Sequence, residues 1–248
     1  MSSPSLFQPL LIPRCLWRGL LLLATPQLRP FVWLPLLINL VVYSLGFWLA
    51  GHYFGAVMDW LLPGWLDWLR WLLWPVFGLA LVAIGFFTFT VVANLIGSPF
   101  YGVLASKVRS LEAGAAPQPA PAGAAFRDGL AALALELQRL GYLGLRALPI
   151  LVLFPIPGIN LIATLLWMVF GAWSLALEYL SYPLDNLGLQ FSAQKEFLRS
   201  RRGEVLIFGA LVMAGLALPV FNILVPPAAV AGATLYCSAR IGKTLSAK

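Results

Sequence analysis

The sequence predicts an all-α integral membrane protein with two long transmembrane helices, two half-penetrating (re-entrant) helical hairpins and amphipathic surface helices. Three observations predict it. Hydrophobic residues make up 61% of the 248, charged residues only 10%, and mean hydropathy is +0.89, against about 25% charged in soluble domains. Four stretches carry no charged residue: 30–51, 71–106, 147–177 and 205–239. The last two are interrupted near their middles by proline, at Pro155, Pro157 and Pro219.

Residues 1–29 set Arg14, Arg18 and Arg29 among Leu10, Leu11, Leu16, Trp17 and Leu20–Leu23. The run Leu20–Ala24 is too short for a signal-peptide core, so a basic amphipathic helix on the membrane surface is expected. In Thr25-Pro26-Gln27-Leu28-Arg29, Thr25 has the form of an N-cap with Pro26 at the first helical position. Amides of Gln27 and Leu28, with the Arg29 side chain, would then converge on an anion. An ordinary interfacial cap with a snorkelling arginine explains the same residues.

Residues 30–51 form the first predicted span, with Pro35 and Asn39 inside it. The following loop is rich in Trp and Tyr and poor in Lys and Arg, which marks the outer face. His52, the single histidine, has no Cys, Glu or second His beside it and reads as an interfacial residue. Residues 71–106 return the chain to the inside. About 20 apolar residues cross the roughly 30 Å hydrocarbon layer, and this stretch exceeds that. Asn94, Gly97 and Pro99 are expected to end or bend its helix in a polar corner, with Lys107 and Arg109 just beyond as a possible vestibule.

The Pro/Ala/Gly tract 113–125 is a linker. Phe126, Leu130, Leu133, Leu137 and Leu140 then recur at helical spacing, with Arg127, Asp128, Glu136 and Arg139 off the stripe, as in an amphipathic helix on the membrane surface or packed against the spans. Stretches 147–177 and 205–239 share a Pro-x-x-Asn-aliphatic-aliphatic pattern, Pro157–Ile162 and Pro219–Leu224. Each is short for two crossings. A single crossing at 147–177 would put Lys195, Arg199, Arg201 and Arg202 outside. Re-entrant hairpins leave every one of the 16 Lys and Arg residues except Arg70 on one side, as the positive-inside bias favours.

Four of the five asparagines, Asn39, Asn94, Asn160 and Asn222, sit one per membrane segment, each within five residues of a proline. Interhelical hydrogen bonding explains any one of them. Four together are expected to line a polar pathway of amide donors suited to an oxyanion. No intramembrane acid or base accompanies them, which disfavours proton coupling.

The stretch 94–108 (NLIGSPFYGVLASKV), the run Glu178-Tyr179-Leu180-Ser181-Tyr182-Pro183-Leu184-Asp185-Asn186, and the segments from Phe208 through Asn222 to Thr234 resemble the CysZ sulfate permeases and the wider etoposide-induced-protein family. With 26–35 the resemblance covers nearly the whole chain. It implies sulfate uptake across the bacterial inner membrane for cysteine synthesis, without ATP hydrolysis, by an all-helical homo-oligomer in the lipid bilayer. The family's sulfate site is a Gly-Leu-Arg-like turn, matched here by Gln27-Leu28-Arg29. Gln27 replaces the glycine and Pro30 a frequent second basic residue. Ser106 and Arg109 stand where relatives often carry acids.

Other chemistries find no support. Gly242-Lys243-Thr244 ends like a phosphate loop, but Cys237 occupies the position of its first glycine. No catalytic set assembles around His52, and neither a metal nor a cofactor is expected. No soluble basic face offers itself to nucleic acid. Cys15 and Cys237 imply no disulfide framework. The expectation is one membrane domain, 1–248, that is not an enzyme and passes sulfate. The alternative is a non-transporting membrane scaffold.

Overall fold

The computed structural model describes residues 8, 10–62, 64–114, 125–218 and 222–245; the side chains of 61, 66, 67, 86, 87, 89–99, 125–134 and 242–245 fall outside that description. Among the described residues all regular structure is helical: α1 (Leu11–Leu23), α2 (Pro30–Leu61), a 3₁₀ turn (Gly64–Leu66), α3 (Asp67–Ala113), α4 (Ala125–Leu153), α5 (Asn160–Asp185), α6 (Phe191–Arg199), α7 (Arg202–Leu216) and α8 (Val225–Leu245). Among the described residues, three segments are long and apolar enough to cross a membrane: Pro30–Trp60, Trp68–Gly85 and Asn160–Asp185. The chain divides into two compact units, Met1–Arg29 with Tyr101–Lys248, and Pro30–Phe100.

Pro30–Phe100 comprises α2 and the first part of α3. The exposed side chains described on it are mostly apolar, as suits helices that face lipid. Phe54 stacks on Phe77 at 3.7 Å between centroids and meets Trp74 edge-on. Tyr43 and Thr88 share a hydrogen bond of 3.0 Å. Near the turn, Arg70 pairs with Asp59 at 2.6 Å, while Trp60, Trp65, Trp68 and Trp71 stand exposed like an interfacial aromatic belt. The first helix runs on past residue 51, where a loop was expected, to Leu61, so His52 lies inside α2 and stacks on Trp48.

The larger unit is built on two close helix crossings. Gly19 of α1 lies against Gly232 of α8, whose missing Cβ would fall 2.9 Å from Leu16 Cα. A Cβ on Gly209 of α7 would fall on the Ala172 carbonyl of α5. Small residues at such points let backbones approach and gain dispersion where lipid leaves no hydrophobic drive between helices. Around these contacts Ile12, Tyr179, Leu180, Leu184, Phe208, Val230 and Tyr236 are buried. Tyr101, Leu104, Ala105 and Val108, at i, i+3, i+4 and i+7, bury one face of α3's end.

Two expectations are corrected here. α3 does not end at Gly97–Pro99 but continues to Ala113; proline removes one hydrogen bond, and the apolar run on both sides restores the helix. Thr25 does not cap a helix starting at Pro26. Its hydroxyl donates back to Leu22 O at 2.6 Å, and residues 26–29 form a turn, so it is Pro30 that stands at a first helical position. On α4 the two kinds of residue again part company, with the leucines outward as on a membrane surface. Arg139 is buried while Leu137 and Leu140 are exposed; the remainder of the predicted stripe, Phe126, Leu130 and Leu133, lies outside the described side chains. The linker 115–124 also lies outside the described residues.

α4 ends at Leu153 and α5 begins at Asn160, with Pro155 and Pro157 between them; α7 ends at Leu216 and α8 begins at Val225, with residues 219–221 outside the description. Gly158, at φ +84, makes the first turn possible. The tip of α5 is apolar and bare: Leu161, Ile162, Leu165, Met168 and Val169 are exposed, whereas Ala176–Leu184 carries most of its buried residues.

Candidate functional site

Three clusters carry polar side chains inside the larger unit. The first is the turn after α1. Leu28 is fully buried and anchors it. The amides of Leu28 and Arg29 both donate to Thr25 O, at 3.1 and 3.0 Å. Arg29 is exposed, and its Nε donates to Ala24 O at 2.8 Å. That bond fixes the inner edge of the guanidinium, and its terminal nitrogens have no partner among the described residues. Gln27 is exposed beside it. A planar cation held on one edge with the other open suits bidentate recognition of an oxyanion. Of the amides predicted to converge here, Leu28's is used within the turn.

The second cluster is organised by the run Tyr182-Pro183-Leu184-Asp185-Asn186, which ties three helices to the end of α5. Tyr182 meets Tyr101 of α3 edge-on, 5.6 Å between centroids. Asn186 Nδ2 donates to Gly102 O at 2.9 Å, and Arg109 donates to Asn186 O at 3.3 Å. Asp185 receives Arg139 of α4 on both oxygens, at 2.6 and 2.7 Å. Gln194 of α6 bridges the pair, donating to Asp185 at 2.7 Å and accepting from Arg139 at 3.3 Å, and Glu136 adds a second carboxylate at 3.1 Å. After Asp185, Gly188 takes φ +70 to turn the chain toward α6. Sequence reasoning singled out the run but not Arg139, whose partner lies 46 positions away. No sequence signal joined the two, since neither spacing nor periodicity links positions so far apart.

The third cluster is the most deeply buried. Glu204 at the start of α7 accepts from Tyr236 at 2.7 Å, from Arg240 on both oxygens and from the Gln8 amide at 3.0 Å. It closes the base of the α7–α8 hairpin and was not foreseen.

The predicted vestibule residues lie near the second cluster. Arg109 lines a cavity of about 290 Å³ with Glu112, Pro183, Thr234 and Ser238; Lys107 is half-buried on the same helix. The four asparagines occupy different settings. Asn39 of α2 is buried, with Oδ1 lacking a partner among the described residues. Asn160 opens α5 at the exposed first tip, and Asn222 is half-buried in the second break. The side chain of Asn94 lies outside the description. No described contact joins any two of them.

A family profile described as "Sulfate transporter CysZ/Etoposide-induced protein 2.4" matches residues 15–227. The chain belongs to the CysZ/etoposide-induced protein family. Relatives named Sulfate transporter CysZ include one from Pseudomonas fluorescens, 42% identical over 228 residues, covering 90% of this chain and 91% of the relative. One from Pseudomonas aeruginosa is 41% identical, over 90% of this chain and 93% of the relative. Another, from Pectobacterium atrosepticum, is 36% identical over 225 residues, 88% and 80%. Family and relatives alike are named as transporters, not enzymes. The family profile spans the Arg29 turn, the Asp185 cluster and Glu204 together.

Proposed function

We propose that this chain conducts sulfate across the bacterial inner membrane, supplying reduced-sulfur biosynthesis without hydrolysing ATP. The observation that carries the reading is full-length similarity, above 40% identity, to proteins named as sulfate transporters. Arg29 is the first contact for the anion. Its open guanidinium edge, with the exposed Gln27 beside it, binds sulfate at the turn, and Arg109 and Lys107 form a second, cationic vestibule. Asn39, Asn94, Asn160 and Asn222 supply neutral hydrogen bonds along the path, strong enough to strip water and weak enough to let the ion leave.

The hairpins are re-entrant in this reading. α7 has 15 residues, about 22 Å at 1.5 Å per residue, short of the roughly 30 Å hydrocarbon layer. α5 is long enough to cross, but from Ala172 onward its residues are largely packed inside the protein. Its lipid-facing length, residues 160–171, is about 18 Å, enough to enter the bilayer and turn back. Bare apolar tips favour assembly into a homo-oligomer that buries the broken backbone. Expression in a bacterium deleted for its own sulfate uptake tests the function: growth on sulfate as sole sulfur source is expected, and growth on cysteine only would refute it.

A further inference from the structure

A pocket of about 480 Å³ opens among α4, α5, α6 and α7, away from the Arg29 turn and the Asp185 cluster in sequence and composition. Arg146, Arg199 and Arg202 line it, and the rest of its wall is mostly apolar, with Leu166 and Val169 leading up α5. Arg146 lies over the Tyr142 ring at 3.6 Å and donates to Tyr142 O, which fixes its position. Arg199 and Arg202 are exposed and have no carboxylate partner among the described residues. The pocket also receives Trp173, whose indole nitrogen is buried and has no hydrogen-bond partner among the described residues. A buried donor left unmade costs about 1–3 kcal/mol, so an acceptor belongs there.

We infer that this pocket binds an anionic phospholipid, its phosphate among Arg146, Arg199 and Arg202 with the Trp173 indole as an additional donor. Its acyl chain lies along Leu166 and Val169, which are exposed on α5. Three cations at one end and an apolar wall at the other match a molecule that is itself anionic at one end and apolar at the other. Basic pockets between helices on the cytoplasmic side of membrane proteins recognise headgroups by this complementarity. A free inorganic oxyanion satisfies only the cationic end and leaves the apolar wall unfilled, so a lipid is the better occupant. The inference rests on the chain being embedded in a membrane but not on its carrying sulfate.

Native mass spectrometry of the full chain in detergent, titrated with phosphatidylglycerol or phosphatidylcholine, tests it. Phosphatidylglycerol should be retained about tenfold more tightly than phosphatidylcholine, as expected of one charge-assisted contact. The double variant Arg199→Gln/Arg202→Gln should remove most of that preference. Both arginines are exposed, and an unchanged circular dichroism spectrum verifies the fold. Trp173→Phe, which deletes only the donor, should weaken retention severalfold in the same direction. Equal retention of the two lipids, or unchanged preference in the double variant, would overturn the inference. So would displacement of phosphatidylglycerol by millimolar sulfate, which would make the pocket a free-oxyanion site.

Discussion

Arg29 meets the solvent with one edge of its guanidinium tied to Ala24 and the other open, which makes its contribution measurable by substitution. A charge-assisted hydrogen bond is worth about 1.5–3 kcal/mol, so Arg29→Ala should weaken sulfate binding about 10-fold to 100-fold in a calorimetric titration. Arg29→Lys should restore part, since an ammonium keeps the charge and loses the fork. Residual binding then falls to the exposed Gln27, because the Leu28 amide is already used. Equal affinity in wild type and Arg29→Ala would move the site to the Arg109 cavity. Glu204 makes the opposite case: its partners are internal. Removing one member of a buried ion pair costs about 3–5 kcal/mol, so Arg240→Met should lower the thermal midpoint sharply while leaving the Arg29 site intact in whatever fraction folds. Burial also pushes the Cys15 thiol up to about 11, desolvation outweighing the nearby Arg18. The unfolded thiol ionises near 9.0, so this group favours the folded state below pH 9, and that contribution is lost as pH rises from 9 toward 11. Maleimide should accordingly react slowly with Cys15 at pH 7 and quickly once detergent denatures the chain; fast reaction in the native protein would contradict the burial.

The crossings of α5 with α7 and of α1 with α8 have no room for a side chain at Gly209 or Gly232. Gly209→Leu should separate α5 from α7 and destabilise the protein by more than about 3 kcal/mol, in the range of severe core overpacking, whereas Gly141→Ala, open to space on α4, should be neutral. Their thermal midpoints distinguish the two. The helices themselves were largely legible: uncharged length announced α2 and α3, and Pro155, Pro157 and Pro219 announced both breaks. What periodicity could not tell was which side of α4 faces inward. In water the leucine stripe is the buried one, but in lipid the preference inverts, and Arg139 turns in because Asp185 and Gln194 are there to receive it. Likewise the Thr25-Pro26 pair looked like a cap, and only the competing bond from the Thr25 hydroxyl to Leu22 O decides against it. The same structure bears on the topology of the hairpins. Gln194 is buried beneath Arg139, so an exposed neighbour, Ser192, is the place for a reporter. Ser192→Cys should label from the cytoplasmic face and Gly64→Cys from the outside; labelling of Ser192→Cys from the outside would make α5 a true crossing.

At the scale of the molecule, the account separates holding from passing. The Asp185 and Glu204 clusters pair their charges internally and hold helices together. Arg29, the Arg109 cavity and Asn39, Asn160 and Asn222 have hydrogen-bonding capacity that no described partner uses, and we assign them to the anion. Substituting the second set should therefore alter flux without unfolding: Asn160→Leu and Asn222→Leu should reduce sulfate flux more than sulfate binding, and unchanged flux in the folded double variant would return both to a structural role. The central claim is that this chain alone gives sulfate a route through a bilayer. Uptake of radiolabelled sulfate into lipid vesicles containing only the purified protein, driven by a sulfate gradient and without ATP, tests it most directly. The account predicts saturable uptake well above protein-free vesicles and reduced by Arg29→Ala; uptake equal to that of protein-free vesicles, with the protein verified as folded, would contradict it.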